Sequence, residues 1–143
     1  MNALRNALLL LLLLHGVVAF AGDLRTPERV VRDYAATWNA NDPAGFFALQ
    51  APDIRKFALD AATSEFKLTT SGLDAVKQKY TPLFAKPSRV TVEIVSLTTL
   101  GEMVVTRDHV TNDAENYVSN EMTMYQVRDG RIINIWYLGR AIG

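Results

Sequence analysis

The first apolar pattern along the chain has the spacing of an amphipathic helix. Within residues 26–39, Val30, Tyr34 and Trp38 recur at every fourth position and form one apolar stripe. Thr26-Pro27 precedes this stripe, and Thr is a favourable N-cap while Pro suits the first helical position. The pattern therefore predicts a helix that begins after Thr26 and closes at residues 39–41.

The middle of the chain changes from helical to alternating spacing and back again. Asp42-Pro43 predicts a second, short helix, whose inward-facing residues are Phe46, Phe47 and Leu49. Polar and apolar residues alternate over 53–60 and again over 64–69, which predicts two strands. Residues 71–74, Ser-Gly-Leu-Asp, have the form of a capping box, so we expect a third helix from there to Phe84.

The last half of the chain predicts four long antiparallel strands, over residues 89–99, 102–111, 116–128 and 131–140. Asp129-Gly130 is typical of a tight hairpin between the last two strands. Both faces of the last strand are apolar, because Ile133, Ile135 and Tyr137 alternate with Ile132, Trp136 and Leu138. We expect one face to pack against the helices or a cavity. A second subunit is expected to cover the other face, since a large exposed apolar patch usually marks an interface.

The order of the elements predicts an α+β fold, because helices dominate the first half and long strands the second. A curved antiparallel sheet wrapped around the N-terminal helices would enclose a cavity on its concave side. Residues 22–143 contain no internal repeat or linker, and their length suits a single domain.

Residues 1–21 have the pattern of a cleaved signal peptide. Arg5 and the initiator amine precede an unbroken leucine run, and Ala19-Phe20-Ala21 has the A-x-A form of a cleavage site. A membrane-spanning helix needs about 20 apolar residues, and this stretch is shorter and interrupted by His15 and Gly16. We therefore expect cleavage after Ala21, a periplasmic or secreted protein, and no membrane attachment afterwards.

The charges and the absence of cysteine exclude several classes of function. The chain has 15 basic and 15 acidic residues, so neither nucleic acid nor an anionic membrane surface is an expected partner. Without cysteine there are no disulfides, thiolate nucleophiles or cysteine metal ligands. His109 is the only histidine after the leader, and neither a metal site nor a cofactor is predicted.

Four segments, taken in order, resemble the NTF2-like superfamily, also called SnoaL-like or the ketosteroid isomerase-type cone. They are RDYAATWNANDPAGFFAL in the first two helices, SGLDAVKQKYTPLFA in the third, VVTRDHVT in a central strand and YQVRDGRIINIWYL at the end. The resemblance spans residues 22–143 and implies a cone-shaped fold with a pocket and, commonly, a dimer. It leaves the activity open, because the superfamily includes isomerases, cyclases, dehydratases and transport adaptors.

The resemblance to ketosteroid isomerase implies a role for Tyr34 only. That enzyme uses an Asp base and an oxyanion hole made of a Tyr and a protonated Asp. Tyr34 matches the oxyanion-hole tyrosine. The base would fall near Phe57 or Ala58 and the protonated Asp near Met122, and none of these residues carries a carboxyl group. The isomerase's own catalytic set is therefore not expected.

The segment VVTRDHVT supplies the remaining candidates for proton transfer. Thr106 and Asp108 share one face of the predicted strand, while Arg107 and His109 share the other. A half-buried carboxylate is costly unless it is paired or protonated, so Asp108 is predicted to have a raised pKa and to act as a general base. The alternative is a salt-bridged structural residue. His109 is either a proton shuttle or a structural residue.

The aromatic residues supply the candidate pocket. Most of them are expected in the core, but Tyr34 on the buried helix stripe needs a partner for its hydroxyl, which a ligand carbonyl can provide. Four aromatic and two polar residues are the candidates for ligand binding: Trp38, Phe57, Tyr125, Trp136, Asp53 and Arg55.

Two functions fit these observations. The first is an exported protein that binds a small hydrophobic molecule and transfers a proton on it, as in isomerisation, cyclisation or dehydration. The second is a non-catalytic ligand carrier or dimeric interaction module of the cell envelope. Tyr34 and Asp108 favour the first function. The missing isomerase carboxylates and the apolar last strand favour the second, and a homodimer through the sheet face is expected for both.

Overall fold

Three α-helices and six strands make up the computed structural model, which describes residues 25–140; the predicted leader at residues 1–21 lies outside the described residues. The helices are α1 (Pro27–Asn39), α2 (Pro43–Ala48) and α3 (Leu73–Phe84). The strands are β1 (Gln50–Asp60), β2 (Glu65–Ser71), β3 (Thr91–Leu100), β4 (Met103–Asn112), β5 (Tyr117–Arg128) and β6 (Arg131–Arg140). Within residues 25–140 no helix is long and apolar enough to cross a membrane.

The starts of the first two helices have the predicted caps. The Thr26 side chain accepts a hydrogen bond from the Arg29 backbone N–H, and Pro27 occupies the first helical position. The Asp42 carboxylate accepts from the Gly45 N–H at 2.9 Å in the same way. These bonds satisfy donors that the first helical turn leaves unpaired, which explains why both helices begin where they do.

The predicted capping box at the third helix is wrong. Gly72 is the N-cap of α3, with φ +86° and no side-chain capping bond. Ser71 instead ends β2, where it pairs with Arg55. A positive φ of this size is easily adopted only by glycine, and the sharp change of direction from strand to helix requires it here.

The six strands form one sheet in the order β2-β1-β6-β5-β4-β3. Neighbouring strands are antiparallel except β1 and β6, which are parallel. The sheet is curved and does not close into a barrel, so β2 and β3 are its edges in the described part of the chain. The predicted α+β fold, with a curved and mostly antiparallel sheet around N-terminal helices, is confirmed.

The helices cover one face of the sheet, which we call the concave face. The α1 helix packs against β3, β4, β5 and β6, and α3 packs against β1 and β2. Apolar side chains from α1, α2, α3 and the concave face meet in one core: Val30, Val31, Tyr34, Phe46, Leu49, Ile54, Val76, Phe84, Val104, Tyr125, Val127, Ile132 and Ile135. Strand alternation fixes which side chains enter it.

An irregularity in β6 changes the alternation expected for the last strand. Val127 pairs with Ile132 and Gln126 with Asn134, so Ile133 is an extra residue. Ile132 and Ile135 consequently enter the core together, and the predicted grouping of Ile133 with Ile135 is wrong.

The other face of the sheet, which we call the convex face, carries exposed apolar side chains. The Phe57 and Trp136 rings stack there with their centroids 5.5 Å apart. Leu68 pairs with Phe57 across β1 and β2 and is 55% exposed, and Phe66 is 42% exposed. The convex face therefore has an apolar area at the β2 side of the sheet.

Candidate functional site

A cavity of about 190 Å³ lies between the helices and the concave face. Six aromatic residues from α1, α2, α3, β5 and β6 line it: Tyr34, Trp38, Phe46, Tyr80, Tyr125 and Tyr137. Asp108 on β4 and Glu121 and Thr123 on β5 add polar groups on the sheet side of the cavity. A mostly apolar cavity with a few converging polar groups is typical of a small-molecule site, and its volume is below the roughly 300–1,000 Å³ of sites for drug-sized ligands.

A larger space of about 690 Å³ lies outside the core, between α1, α2 and the β5–β6 turn. It is lined mainly by small and charged residues, including Asp33, Asp42 and Arg131. Asp33 forms ion pairs there with Arg25 and Arg29, at 3.3 Å and 2.8 Å. Because this is an open surface groove that no aromatic side chain of residues 25–140 lines, the smaller cavity is the better candidate site for an apolar molecule.

Asp108 is the acidic group at the centre of the β4 wall. Its burial follows from alternation along β4, where Val104, Thr106, Asp108 and Val110 all face the helices. Thr106 Oγ1 donates to Asp108 Oδ2 at 2.8 Å, while Oδ1 has no hydrogen-bond partner among the described residues. Burial raises the pKa of Asp108, the nearby Glu121 carboxylate adds to this, and the hydrogen bond from Thr106 opposes it. The site therefore favours a carboxylate that readily takes up a proton.

Tyr34 lies on the opposite wall, where the apolar stripe of α1 meets α2. Its ring stacks on Phe46 with centroids 4.4 Å apart and meets Tyr125 edge-on at 6.1 Å. Burial raises the pKa of Tyr34 well above the ordinary value, and the pKa values of Tyr80, Tyr125 and Tyr137 are raised for the same reason. At neutral pH these residues remain phenols, which can donate hydrogen bonds to an oxygen in the cavity.

Lys56 is a buried lysine that sequence reasoning did not single out. It lies on β1, is 1% exposed, and its Nζ donates to the Tyr34 hydroxyl oxygen at 3.2 Å. The ammonium lies 4.0 Å from the centroid of the Tyr80 ring. Burial lowers the pKa of Lys56 from 10.5 to about 7, and the positive charge of Lys79 contributes. The only feature of the sequence that indicates its burial is its spacing from Ile54, which places both side chains on the same face of β1.

Trp38 lines the cavity and also joins α1 to the segment just before β3. Its indole N–H donates to the Val90 carbonyl at 2.9 Å, and Arg89 donates to the Trp38 carbonyl at 2.8 Å. The Arg89 guanidinium also lies 5.3 Å from the Trp38 ring centroid. The indole N–H is therefore already engaged, and Trp38 offers the cavity an apolar ring.

The predicted site residues fall into two groups. The cavity brings together Tyr34, Trp38, Asp108 and Tyr125. The other five lie elsewhere: His109, Asp53, Arg55, Phe57 and Trp136.

His109 has the alternation opposite to that of Asp108, so its ring is directed away from the cavity and lies 3.0 Å from the Asn120 side-chain oxygen. Arg55 donates to Asn134, and Phe57 stacks on Trp136, both on the convex face. Asp53 is exposed. These five candidate residues therefore lie outside the cavity lining.

Four residues with polar groups in the cavity lining were not among the predicted site residues: Tyr80, Tyr137, Glu121 and Thr123. The Tyr80 and Tyr137 hydroxyls lie 3.2 Å apart, which connects α3 to β6 above the cavity. The spacing of Tyr80 on its helix pointed to the core, but no pattern indicated a cavity beside it. Within residues 25–140 no group of three or more His, Asp or Glu side chains is arranged to hold a metal ion.

Comparisons with known proteins agree with this architecture. The sequence profile of the SnoaL-like domain family matches residues 31–135. No curated protein sequence matches the chain at a significant level.

Three solved structures show the same fold at low sequence identity. A proposed ketosteroid isomerase from Kribbella flavida superposes with a TM-score of 0.64 at 18% identity, covering 82% of this chain and 79% of its own. Wild-type IdmH, a proposed polyketide cyclase from Streptomyces antibioticus, gives 0.64 at 18% identity, with 80% and 91% covered. An NTF2-like protein of unknown function from Cytophaga hutchinsonii gives 0.60 at 10% identity, with 80% and 89% covered.

Proposed function

Because the chain belongs to the SnoaL-like domain family, we propose that it binds a small, flat and mostly apolar carbonyl compound in the cavity and transfers a proton on it. Proteins with this fold include a proposed ketosteroid isomerase and a proposed polyketide cyclase. Both reaction classes involve carbon acids beside a carbonyl group. The cavity volume of about 190 Å³ suits a molecule of one or two rings.

One observation carries the proposal: Asp108 Oδ1 is buried on the cavity wall and has no hydrogen-bond partner in the described structure. A buried polar atom without a partner typically costs about 1–3 kcal/mol. Such an atom is retained more readily where a ligand or a reaction uses it. A carboxyl group on the wall of an apolar cavity, with an unused lone pair, is suited to accept a proton from a bound molecule that reaches it.

The mechanism follows from the two walls of the cavity. Asp108 Oδ1 removes a proton from the carbon next to the ligand carbonyl, and the C–H electron pair forms the carbon–carbon double bond of an enolate. Tyr34 donates its hydroxyl proton in a hydrogen bond to the enolate oxygen. Where the ligand also has a β,γ double bond, the enolate is conjugated with it. Protonated Asp108 then returns the proton to the γ carbon, the carbonyl group re-forms and the double bond shifts to the α,β position, which completes an isomerisation. The raised pKa of Asp108 increases its strength as a base near neutral pH.

Exchange of carbon-bound hydrogen in D₂O tests this proposal without knowledge of the natural substrate. The purified protein is incubated with a panel of small cyclic and aryl ketones, and loss of the proton signal beside the carbonyl is followed by NMR. We expect catalysed exchange that falls by at least about 100-fold in Asp108→Asn, since general bases typically contribute 10²–10⁴. Tyr34→Phe should also slow exchange.

Asp53→Asn is the matched control, because it removes an exposed carboxylate on β1 and should leave exchange unchanged. Equal exchange in wild type and Asp108→Asn would show that Asp108 is not the base. Ligand binding without exchange, unaffected by Tyr34→Phe, would instead support a carrier.

A specific observation favours a second proposal, which concerns assembly. Phe57, Phe66, Leu68 and Trp136 form an apolar area on the convex face, and Leu68 and Phe66 are 55% and 42% exposed. We propose that two copies of the chain pair through this face, which would remove these side chains from water. This assembly is compatible with either catalysis or ligand carriage.

Export remains a proposal that rests on residues 1–21 of the sequence. Mass spectrometry of the protein purified from the exported fraction of its own cells tests it. A chain beginning at Gly22 is expected, and a chain beginning at Met1 in the cytoplasm would contradict it.

A further inference from the structure

Lys56 is a buried charged group that the proposed proton transfer does not use. It is not among the residues that line the cavity, but Tyr34 and Tyr80, which contact its Nζ, both line it. Three aromatic rings surround the ammonium, with centroids at 4.0 Å for Tyr80, 5.6 Å for Phe46 and 5.8 Å for Tyr34. The position of Lys56 directly behind the Tyr34 hydroxyl suggests a function through that residue.

The direction of the Lys56–Tyr34 hydrogen bond follows from the chemistry of the two groups. An ammonium has three donors and no acceptor, so the Tyr34 oxygen must accept from it. The hydroxyl proton of Tyr34 is then free to be donated to another oxygen. A neutral Lys56 amine, in contrast, can accept a hydrogen bond from the Tyr34 hydroxyl. That bond would turn the hydroxyl proton away from the cavity.

We propose that Lys56 is a positioning residue that, as an ammonium, directs the Tyr34 hydroxyl into the cavity and makes the site selective for ligands with a negatively charged oxygen, such as enolates and phenolates. This inference rests on the proposed function, because it places the ligand oxygen at Tyr34. It adds the class of ligand that the site binds best and a dependence on the protonation of Lys56.

The electrostatic surroundings of Lys56 support this proposal. The titratable and charged groups that face it are Tyr34 from α1 and Tyr80 and Lys79 from α3, while Tyr137 from β6 bonds to Tyr80. The α2 helix contributes only the Phe46 ring. No carboxylate forms an ion pair with Lys56 among residues 25–140.

The charge of Lys56 is therefore balanced only by aromatic faces and one phenol oxygen. An anionic oxygen that accepts a hydrogen bond from the Tyr34 hydroxyl would place a negative charge close to the Lys56 ammonium. Because burial lowers the pKa of Lys56 to about 7, the fraction present as the ammonium falls as the pH rises through neutral in the empty protein. Binding an anion should consequently take up a proton at pH 7 to 8.

Binding of substituted phenols tests the inference, because ionised and neutral phenols have different ultraviolet spectra. The probes are 2,4-dinitrophenol, which is ionised throughout the range used, and unsubstituted phenol, which is neutral at pH 7. For the wild type we expect the affinity for dinitrophenolate to fall by about tenfold or more from pH 6.5 to 9, as expected for loss of a nearby unit charge. Phenol affinity should stay nearly constant over that range.

Three variants complete the test. Lys56→Met should weaken binding of dinitrophenolate at pH 6.5 by about tenfold, abolish the pH dependence and leave phenol binding within twofold. Lys77→Met removes an exposed lysine of α3 that is not among the charges acting on Lys56, and should change neither affinity by more than twofold. Tyr34→Phe should weaken the binding of both probes, because it removes the shared hydrogen-bond donor.

The outcomes separate the inference from the proposed function. Dinitrophenolate binding that depends on Tyr34 but not on Lys56 or on pH would overturn the role of Lys56 alone. Absence of binding, or binding that is unchanged in Tyr34→Phe, would overturn both the role of Lys56 and the assignment of Tyr34 as the cavity donor. The pH dependence is also followed in Asp108→Asn, which keeps Lys56 and removes the titratable carboxyl group of the cavity, so a folding defect in Lys56→Met does not remove the test.

Discussion

The stability of the protein should depend on the charge of Lys56, and Lys56→Met provides the test. Methionine has a similar length and no charge, so it can occupy the same space among Tyr34, Phe46 and Tyr80. The folded state lowers the pKa of Lys56 from 10.5 to about 7. The unfolded chain therefore binds the proton more tightly, and the free energy of unfolding of the wild type should rise as the pH rises from 7 to 10.5.

The size of this effect follows from the change in proton affinity. Lowering the pKa from 10.5 to about 7 corresponds to about 5 kcal/mol, at ~1.4 kcal/mol for each factor of ten. Relaxation around the buried charge reduces the measurable cost to several kcal/mol, and we expect about 3 kcal/mol. The cost is fully present below pH 7 and disappears towards pH 10.5.

Urea unfolding followed by circular dichroism at pH 6, 8 and 10 measures this difference. Lys56→Met should be more stable than the wild type at pH 6, and its advantage should shrink by about 3 kcal/mol by pH 10. Lys77→Met is the control, because it makes the same change at an exposed position of α3. Parallel curves for the wild type and Lys56→Met, within about 0.5 kcal/mol, would refute the assignment of Lys56 as a costly buried charge.

Three further predictions concern the other parts of the molecule. Burial raises the pKa of Asp108, so the wild type should lose stability as the pH rises above the ordinary carboxyl range. The free energy of unfolding of Asp108→Asn, measured in urea relative to that of the wild type, should therefore be higher at pH 7 than at about pH 4. The same difference at both pH values would contradict this. Leu68→Glu should lower the mass measured by sedimentation from that of a dimer to that of a monomer, and a wild type that is monomeric at all concentrations would remove the proposed interface. Thr26→Ala should lower the free energy of unfolding by about 1 kcal/mol, because the N-cap hydrogen bond from the Arg29 N–H is lost. Thermal unfolding measures this change, and Thr63→Ala in the exposed β1–β2 turn is the control.

Most of the fold could be predicted because each element has its own local signal. Thr26 and Asp42 are N-caps that act within one turn, and Asp129-Gly130 adopts the positive φ values that a tight hairpin requires. These signals depend on neighbouring residues only. The failures were of a different kind. The extra residue at Ile133 depends on how β5 and β6 pair, and alternation within one strand does not contain that information.

The site could be predicted only in part, because hydrophobicity does not show which face of a strand is inside. In β1, Arg55, Phe57 and Leu59 alternate with Ile54, Lys56 and Ala58, and the first set contains the larger apolar residues. The structure buries Lys56 with Ile54 and leaves Phe57 to stack on Trp136 on the convex face. The aliphatic part of a lysine side chain packs well among aromatic rings, so the presence of Lys56 in the sequence does not show which face of β1 is exposed.

The two buried charged groups favour proton transfer over ligand carriage. Lys56 on β1 and Asp108 on β4 are separated by two intervening strands, or about 14 Å at the usual strand spacing. Each has a pKa shifted towards its neutral form because burial disfavours its charge. Both therefore reduce the stability of the empty protein at neutral pH, and neither compensates the other by direct contact. A carrier of an apolar molecule would gain stability from methionine and asparagine at these positions. An acid–base site, in contrast, requires a proton acceptor on one wall and a polarised donor on the other, and these are the roles proposed for Asp108 and the Lys56–Tyr34 pair.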